Sequence, residues 1–433
     1  MLRFIDLFAG MGGIRKGFEL ACAERGIKTQ CMLTSEIKPS AINVLKQNHP
    51  EDKQWGDITR INASDVPDFD VLLAGFPCQA FSSAGKRQGF LDTRGTMFFE
   101  VERILREKKP KAFLLENVEG LITHDKENPK DKIGKTLSTI LSHLTELGYR
   151  VEWRLLNSKH FGIAQERKRV YITGTFTDFV DMDGFEKKLV TLDEILEKGQ
   201  PVSNSNFVKL LLSHYKIEDL YGKSLKDKRG GSSNIHSWDI ELKGAVSETQ
   251  KQLLNELFKQ RRKKQWAEEM GIKWMDGMSL SLEQIRTFAP LPDLKEQLDD
   301  LVLKGYLKRE HPKAMLEERL LDGSVHTYRA QDHRLPLGYN IVAGKLSFEV
   351  GKILNPKDIA PTLVAMDMQK LYVPDGNGIR RLTKREGLRL FGYPDDFKFD
   401  VSEQDGYDLL GNTVVVPVIK AVAGRILNII AEE

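Results

Sequence analysis

RFIDLFAGMGGIRKGFEL (residues 3–20) decides how the rest of the chain is read. RFIDLF (3–8) is a short, mostly apolar run of the kind a buried strand needs. Gly10, Gly12 and Gly13 follow as a tight turn, and from Ile14 to about Arg25 the apolar residues recur at helical spacing. A strand, a glycine turn and a helix present backbone amides at a helix N-terminus, a place suited to a nucleotide or a carboxylate. The same turn would equally serve just to let a helix lie close to a strand, so the motif alone does not choose.

Working outward, apolar runs recur at QCMLTSE (30–36), DVLLAG (70–75), AFLLEN (112–117), EWRLLN (152–157) and RVYITGT (169–175). Amphipathic stretches lie between them, as in FFEVERILREKK (98–109) and KTLSTILSHLTELG (135–148). Strand–helix alternation of this kind predicts an α/β fold, a mostly parallel sheet covered by helices on both faces. Ligands of such sheets sit at the carboxyl ends of the strands.

The bulk properties fit a globular protein of two or three domains. There are 433 residues, 40% hydrophobic and 29% charged, and no apolar run is read as long enough to cross a bilayer. The N-terminus is too short and too quickly followed by glycines for a secretion signal, so a cytoplasmic enzyme is expected. A net charge of +3 says little alone, since nucleic-acid partners show in local clusters of Lys and Arg. Three cysteines, Cys22, Cys31 and Cys78, with no CxxC spacing argue against a disulfide framework and a structural zinc site. Cys22 and Cys31 read as small buried apolar residues in a helix and a strand.

Two acids extend the glycine-turn pattern. Glu36 ends the second strand, where a carboxylate can accept ribose hydroxyls, and Asp57 in GDI (56–58) can accept from an exocyclic adenine amine. That suits an adenosine-bearing ligand without separating a nicotinamide dinucleotide from S-adenosylmethionine. The chemistry sits in GFPCQAFS (75–82): Cys78, preceded by proline at a strand's carboxyl edge, is held in a loop, where a reactive thiol needs to be. Glu116 closes an apolar run, where an acid is costly unless paired or working. QERKRVY (165–171) adds Gln165, Arg167 and Arg169, the two arginines on one face of an extended chain.

These segments resemble, in order, the motifs of the cytosine-5 DNA methyltransferase family, of the bacterial restriction-modification type. FIDLFAGMGG resembles its first motif, GFPCQAFS its nucleophile motif and DTRGTMFFEVERI (92–104) its next loop. ENV (116–118) and QERKRVY resemble the two that follow, PTLVA (361–365) the end of the recognition region, and RRLTKREGLRLFGYPDDF (380–397) and GNTVVVPVI (411–419) the last two. The resemblance implies an S-adenosylmethionine-dependent, Rossmann-like methyltransferase fold with a second, target-recognition domain. It implies methyl transfer to C5 of a flipped-out cytosine in a specific double-stranded DNA sequence, leaving S-adenosylhomocysteine and using no metal.

By the same resemblance, Cys78 attacks C6 of the base, Glu116 stabilises N3 and the exocyclic amine, Arg169 contacts O2, and Arg167 holds phosphate or the base and steadies Glu116. Phe8, Gly10, Met11, Gly12 and Gly13 contact the cofactor's methionine and adenosine, Glu36 the ribose, and Asp57 and Ile58 the adenine. Pro77, Met97, Asn412 and Val414 lie beside them. Ile37 stands where relatives often carry an aromatic residue, so apolar contact with adenine is expected in place of stacking. Gln79, Ser82, Lys86, Arg87, Arg94 and Gln165 are expected to touch DNA, with SSAGKRQG (82–89) similar to a loop that closes over it.

The expected division is 1–195 for the catalytic and cofactor-binding domain and 196–400 for target recognition, with a variable insertion at about 200–360 and the LTKRE-like motif at 380–397. Residues 401–433 are expected to return to the catalytic domain. In the insertion, KDKRGG and KQRRKK (259–264) read either as phosphate contacts or as solvated helix faces. LSLEQIRTF (280–288) and DLKEQLDDLVLKGYL (293–307) read first as an ordinary amphipathic hairpin and second as a winged helix-turn-helix. The histidines show no ligand spacing.

A tRNA-modifying relative would lack so long an insertion. A nicotinamide oxidoreductase would leave Cys78, Glu116 and the arginines without a shared task, and a catalytically silent DNA-binding protein would lack Cys78 or Glu116. With no regulatory extension before Met1, the expectation is a monomeric bacterial or phage modification enzyme, with a separately encoded restriction endonuclease as its possible partner and no membrane partner.

Overall fold

The computed structural model describes residues 1–77, 97–227, 233–272, 277–319, 325–342, 348–365 and 367–431. Its first sheet contains β1 (Leu2–Leu7), β2 (Thr29–Ser35), β3 (Val71–Ala74), β4 (Ala112–Val118), β5 (Arg150–Asn157) and β6 (Lys168–Thr175). Helices α1 (Gly13–Ala23), α2 (Pro39–Asn48), α3 (Met97–Lys108) and α4 (Lys135–Glu146) connect them. The strand order is β2-β1-β3-β4-β6-β5. The first four strands run parallel, and β6 runs antiparallel to both β4 and β5. The antiparallel pair is the part that strand–helix alternation did not foretell. It brings the start of β6, where Arg169 lies opposite Val118, to the same edge as the carboxyl ends of the parallel strands.

The order reverses between β1 and β3, and the loops that follow these two strands flank that switch point, where a crevice opens in sheets of this type. One face of the sheet is filled by Ile5, Leu7, Leu72 and Leu115 packed with Phe98, Leu105, Leu137 and Ile140 of α3 and α4.

Contacts divide the chain into two units: 1–198 with 355–369 and 382–433, and 199–354 with 370–381. The second unit contains α5 (Asn206–His214), β7 (Ser224–Leu225), β8 (Asn234–Ile235), α6 (Glu248–Gln260), α7 (Lys264–Glu269), α8 (Leu282–Arg286) and α9 (Leu294–Leu303). It continues through β9 (Leu307–Glu310), β10 (Lys313–Arg319), β11 (Val325–Gln331), β12 (Gly338–Ile341), β13 (Lys352–Ile353), β14 (Leu371–Asp375) and β15 (Gly378–Arg381). Helices α10 (Lys384–Arg389), α11 (Glu403–Asn412) and α12 (Val416–Ile430) then belong to the first unit.

The expected 196–400 span is therefore interrupted at 355–369 and ends early, at Arg381, so that all but the first two residues of the LTKRE-like motif group with the first unit. Residues 355–369 group with the first unit because they are sewn to the start of β6: Ala360 N–H donates to Ala164 O at 2.8 Å and Glu166 N–H to Ala360 O at 2.9 Å. In the basic run, Arg261 is buried and donates to Asn340 Oδ1 at 2.6 Å, so it is a core group and not a phosphate contact.

Helix α12 lies against α1. Gly17 makes this possible: a Cβ there would stand 2.6 Å from Ile419 Cβ and 2.9 Å from Val416 O. Gly13, one turn earlier, meets Tyr393 Oη and Val414 Cγ2 in the same way, at 2.6 and 2.7 Å. Gly17→Ala is expected to lower unfolding free energy by about 1–3 kcal/mol through overpacking, read from urea denaturation. Stability equal to the native chain's would mean that the two helices are free to separate.

By length and composition the stretch Glu403–Ile430 suffices to cross a bilayer, which the sequence reading missed, but 67% of its apolar window is buried. Its Val416, Ile419, Val422, Ala423, Ile426 and Leu427 are spent on core packing.

Candidate active site

Two cavities adjoin at the switch point. The first, of about 370 Å³, lies between the loop after β1, the end of β2 and the 57–58 turn. The second, of about 220 Å³, lies between the loop after β3, the end of β4 and the start of β6. Gly75, Pro77, Asn412 and Thr413 line both, so one thin wall separates them.

The glycine turn forms the floor of the first cavity. Phe8 takes φ 54°, a left-handed conformation that costs a non-glycine residue roughly 1–3 kcal/mol and is typical of functional loops. Glu36 then locks the turn: its Oε2 accepts from Gly10 N at 2.7 Å, and its Oε1 accepts from Ile37 N and Lys38 N, both at 2.8 Å. With roughly four acceptor sites on a carboxylate, Glu36 has about one left, on Oε2. That remaining site is where an incoming hydroxyl can bind. Asp57 is strapped in place because Ser35 Oγ donates to Gly56 O at 2.6 Å and Trp55 N to Thr34 O at 2.9 Å. Asp57 Oδ1 accepts from Thr59 N and Thr59 Oγ1 at 3.0 and 2.8 Å, while Oδ2 lies 3.7 Å from Arg60 Nε, beyond hydrogen-bond reach, and has lone pairs that an amine can use.

Met11, Ile58, Pro77 and Met97 complete an apolar wall. Ile37 also lines the cavity and is 70% exposed, an uncovered aliphatic surface where a flat base would lie. Acceptors at one end and apolar walls between suit an adenosine-bearing ligand.

Three expected cofactor contacts do not line this cavity. Gly12 (φ 81°) shapes the entry to α1, and Gly13 and Val414 pack on each other beneath the turn. Leu409, Thr413 and Lys38 line it without having been foreseen. Lys38 is paired with Asp408 of α11, and Asp408 O accepts from Asn412 Nδ2 at 2.8 Å. Partners 370 residues apart give no signal in a single sequence.

The second cavity holds the charged pair. Glu116, 9% exposed, lies 3.1 Å from Arg169 Nε through its Oε1. Burial raises its pKa above the ordinary carboxyl value, against the opposing pull of Arg169 and Arg167. Asn117, also unforeseen as a site residue, donates from Nδ2 to Phe76 O at 3.3 Å and so ties the loop after β3 to β4.

Arg167 does not reach for phosphate. It is buried, donates to Leu363 O, Gly411 O and Thr413 O at 2.8, 3.2 and 2.9 Å, and lies over the Phe391 ring. It holds the 411–413 turn that lines both cavities and acts on Glu116 through its charge. Gln165 is a second correction. It is wholly buried, its Nε2 donating to Leu390 O at 2.8 Å and its Oε1 accepting from Leu363 N at 3.1 Å, so it is not available to DNA. Cys78 and the expected DNA contacts Gln79, Ser82, Lys86, Arg87 and Arg94 lie outside the described residues. Cys78 follows directly on Pro77, which lines both cavities. Among the described residues, no group of three or more His, Cys, Asp or Glu is arranged to hold a metal ion.

Comparison with known proteins agrees with this geometry. The C-5 cytosine-specific DNA methylase family matches residues 2–428. The chain is 59% identical over 427 residues to Type II methyltransferase M.NlaIV of Neisseria lactamica, covering 99% of both, and 58% identical to M.NgoBV of Neisseria gonorrhoeae over the same share. A putative prophage-encoded DNA modification methyltransferase of E. coli shares the fold, with a TM-score of 0.51 and 19% identity over 100% of both chains. A sheet with its crevice at the β1/β3 switch and an acid–guanidinium pair at its edge thus stands in a chain that belongs to the C-5 cytosine-specific DNA methylase family, enzymes that transfer methyl groups to DNA.

Proposed function

We propose that Cys78 is the nucleophile of this methyltransferase, and that the base occupies the Glu116–Arg169 cavity while S-adenosylmethionine occupies the Glu36–Asp57 cavity. The observation that carries the reading is the shared wall: a base and a methyl donor set in the two cavities meet across Gly75–Pro77 and Asn412–Thr413, one residue from the thiol.

C5 of cytosine is a poor nucleophile, so electrons must first enter the ring. The Cys78 thiolate adds to C6, the π pair of C5–C6 shifts into C4–C5 and the π pair of C4–N3 moves onto N3. Glu116 gives its proton to N3 and so neutralises the charge that develops there, while Arg169 holds Glu116 and faces O2. This leaves an enamine whose C4–C5 pair attacks through C5, with the C4–N3 double bond restored as that pair is spent. S-adenosylmethionine, when bound, supplies an electrophilic methyl group on a sulfonium. After C5 has taken the methyl, loss of the C5 proton to a base or water expels the thiolate and restores the double bond. Glu36 fixes the ribose and the glycine turn together, and Asp57 takes the adenine amine. A cytosine within a duplex cannot enter a cavity walled this way, so the nucleotide must be flipped out.

The Type II names of its relatives support a role as the modification enzyme of a restriction system, in the cytoplasm and beside a separate endonuclease. Expression in a methylation-free host followed by bisulfite sequencing tests this. Methylcytosine confined to one short site is expected, and scattered or absent methylation would refute it.

A further inference from the structure

Part of the second unit has an order that the sequence left open. Helices α6 and α7 are followed by a bridge at Leu280, then α8, α9, β9, the β10–β11 pair and β12. Leu280 pairs with Tyr339 of β12, and β12 pairs antiparallel with β9, which makes a small three-stranded ladder. Leu254, Leu257, Leu280, Ile285, Leu298 and Leu307 share one core. This is the arrangement of a winged helix, with α8–α9 as the helix-turn-helix and β10–β11 as the wing; the plain amphipathic hairpin preferred from sequence is set aside.

In a helix-turn-helix the second helix ordinarily enters the major groove of DNA. Here that helix, α9, is acidic. The helix and its flanks carry Asp293, Glu296, Asp299 and Asp300 against Lys295 and Lys304, and both lysines are already paired, with Asp299 at 2.7 Å and Asp300 at 2.6 Å; Arg309 of β9 adds one more positive charge near Asp299. Such a surface is repelled by phosphates. The wing has the opposite character. Its seven-residue strands pair in register from Lys313↔Gln331 to Arg319↔Val325, and among the described residues they pair with no other strand. Paired residues share a face, so Lys313, Met315, Glu317 and Arg319 stand with Arg329 and Gln331 on one side. That side carries three cations against one acid, and all of these residues but Gln331 are exposed. The other side carries no Lys or Arg: Ala314, Leu316 and Ala330 are half-buried there, and Glu318, His326 and Tyr328 are exposed. A two-stranded ribbon fits the major groove as a helix does, and Arg, Lys and Gln are the side chains that pair with base edges there; Gln331 Oε1 accepts from His311 N at 3.2 Å, which leaves its Nε2 as the group to offer a base. A lone hairpin is marginal in water, and Met315 and Val325 at 49% and 53% exposure leave apolar surface for contacts such as a thymine methyl.

We propose that the β10–β11 ribbon, and not helix α9, enters the major groove and reads the target sequence. This rests on the reading of the chain as a site-specific DNA methyltransferase.

The test uses the full chain carrying Arg329→Ala with Gln331→Ala, compared with Lys295→Ala with Glu296→Ala on α9. Binding of a duplex bearing the wild-type target, found by bisulfite sequencing, is competed against a duplex with the site scrambled. The ribbon variant is expected to lose about tenfold to hundredfold in discrimination with its S-adenosylmethionine binding unchanged, and the helix variant to keep the native ratio. Arg329→Lys, which keeps the charge but not the two-pronged donor, separates readout from misfolding and should also lose discrimination. Native discrimination in the ribbon variants, or relaxation caused by the helix variant, would overturn the proposal. Should the wild-type chain methylate nothing, the functional reading fails. The ribbon is then judged on duplex affinity alone, and ribbon variants that bind as tightly as the native chain would reject it.

Discussion

Cys78→Ala is expected to reduce methyl transfer by about 10⁴-fold or more while S-adenosylmethionine binds as it does to the native chain. The separation follows from the two cavities. In the proposed arrangement the cofactor cavity is built by Glu36 just after β2, Asp57 beside the 57–58 turn and an apolar wall that includes Met97 of α3, and the hydrogen bonds of Glu36 and Asp57 described above go to Gly10, Ile37, Lys38 and Thr59. Removing one sulfur therefore deletes the addition to C6 and leaves the cofactor's contacts intact. Loss of cofactor binding together with turnover would instead make Cys78 a structural residue.

A companion measurement reads the bond itself. A duplex with 5-fluorocytosine at the target should leave a stable adduct in the intact mass, because fluorine cannot depart from C5 as a proton does. The other two thiols do not compete, since burial pushes both Cys22 and Cys31 up to about 11, far from the thiolate form that attacks. An adduct mapped to Cys78 supports covalent catalysis, and an unmodified mass under turnover conditions would sink it.

The first sheet was legible because every strand is a short apolar run ended by glycine, an acid or a polar turn, and each predicted strand lies within a few residues of an observed one. The lining of the first cavity was legible in part for the same reason: Gly10 lies in the loop after β1, Glu36 follows directly on β2, and Asp57 caps the short turn at 58–60 that faces them. What failed to show was anything decided by partners distant in sequence. Gln165 and Arg167 sit in a polar, extended heptapeptide that reads as a ligand-facing edge. Carbonyls at Leu363, Leu390, Gly411 and Thr413 claim them instead, and these lie some two hundred residues away. The antiparallel β6 was invisible because a buried strand carries no mark of its direction. In the second unit, strands of two residues such as Ser224–Leu225 leave no period to detect, and α8 with only five residues is shorter than the pattern that announced it. The winged-helix order emerged there from pairing, through Leu280 and Tyr339, and not from propensity.

Glu116→Gln is expected to lower kcat/KM by about 10²- to 10⁴-fold, the usual worth of a positioned acid, with cofactor affinity unchanged. The substitution keeps the shape and a hydrogen-bond donor but removes a transferable proton, so it separates protonation of N3 from simple packing. The native carboxyl is nine-tenths enclosed, and its pKa stands above the ordinary value because burial outweighs the pull of Arg169 and Arg167. A raised folded pKa means that the protonated form persists to higher pH and is lost as pH climbs through the shifted value. Its contribution to stability is complete below the ordinary carboxyl pKa and declines over the same climb. Native kcat/KM should therefore carry an alkaline limb to which Glu116 contributes, and the glutamine variant, with nothing to titrate at that position, should lose that contribution while gaining relative stability at high pH. If the two enzymes shared an unchanged pH profile and differed by less than tenfold, the acid would be a structural partner of Arg169 and the proton would have to come from elsewhere. A profile that flattens together with a large drop in rate ties the proton to this carboxyl, because the guanidinium 3.1 Å away cannot release one in this range.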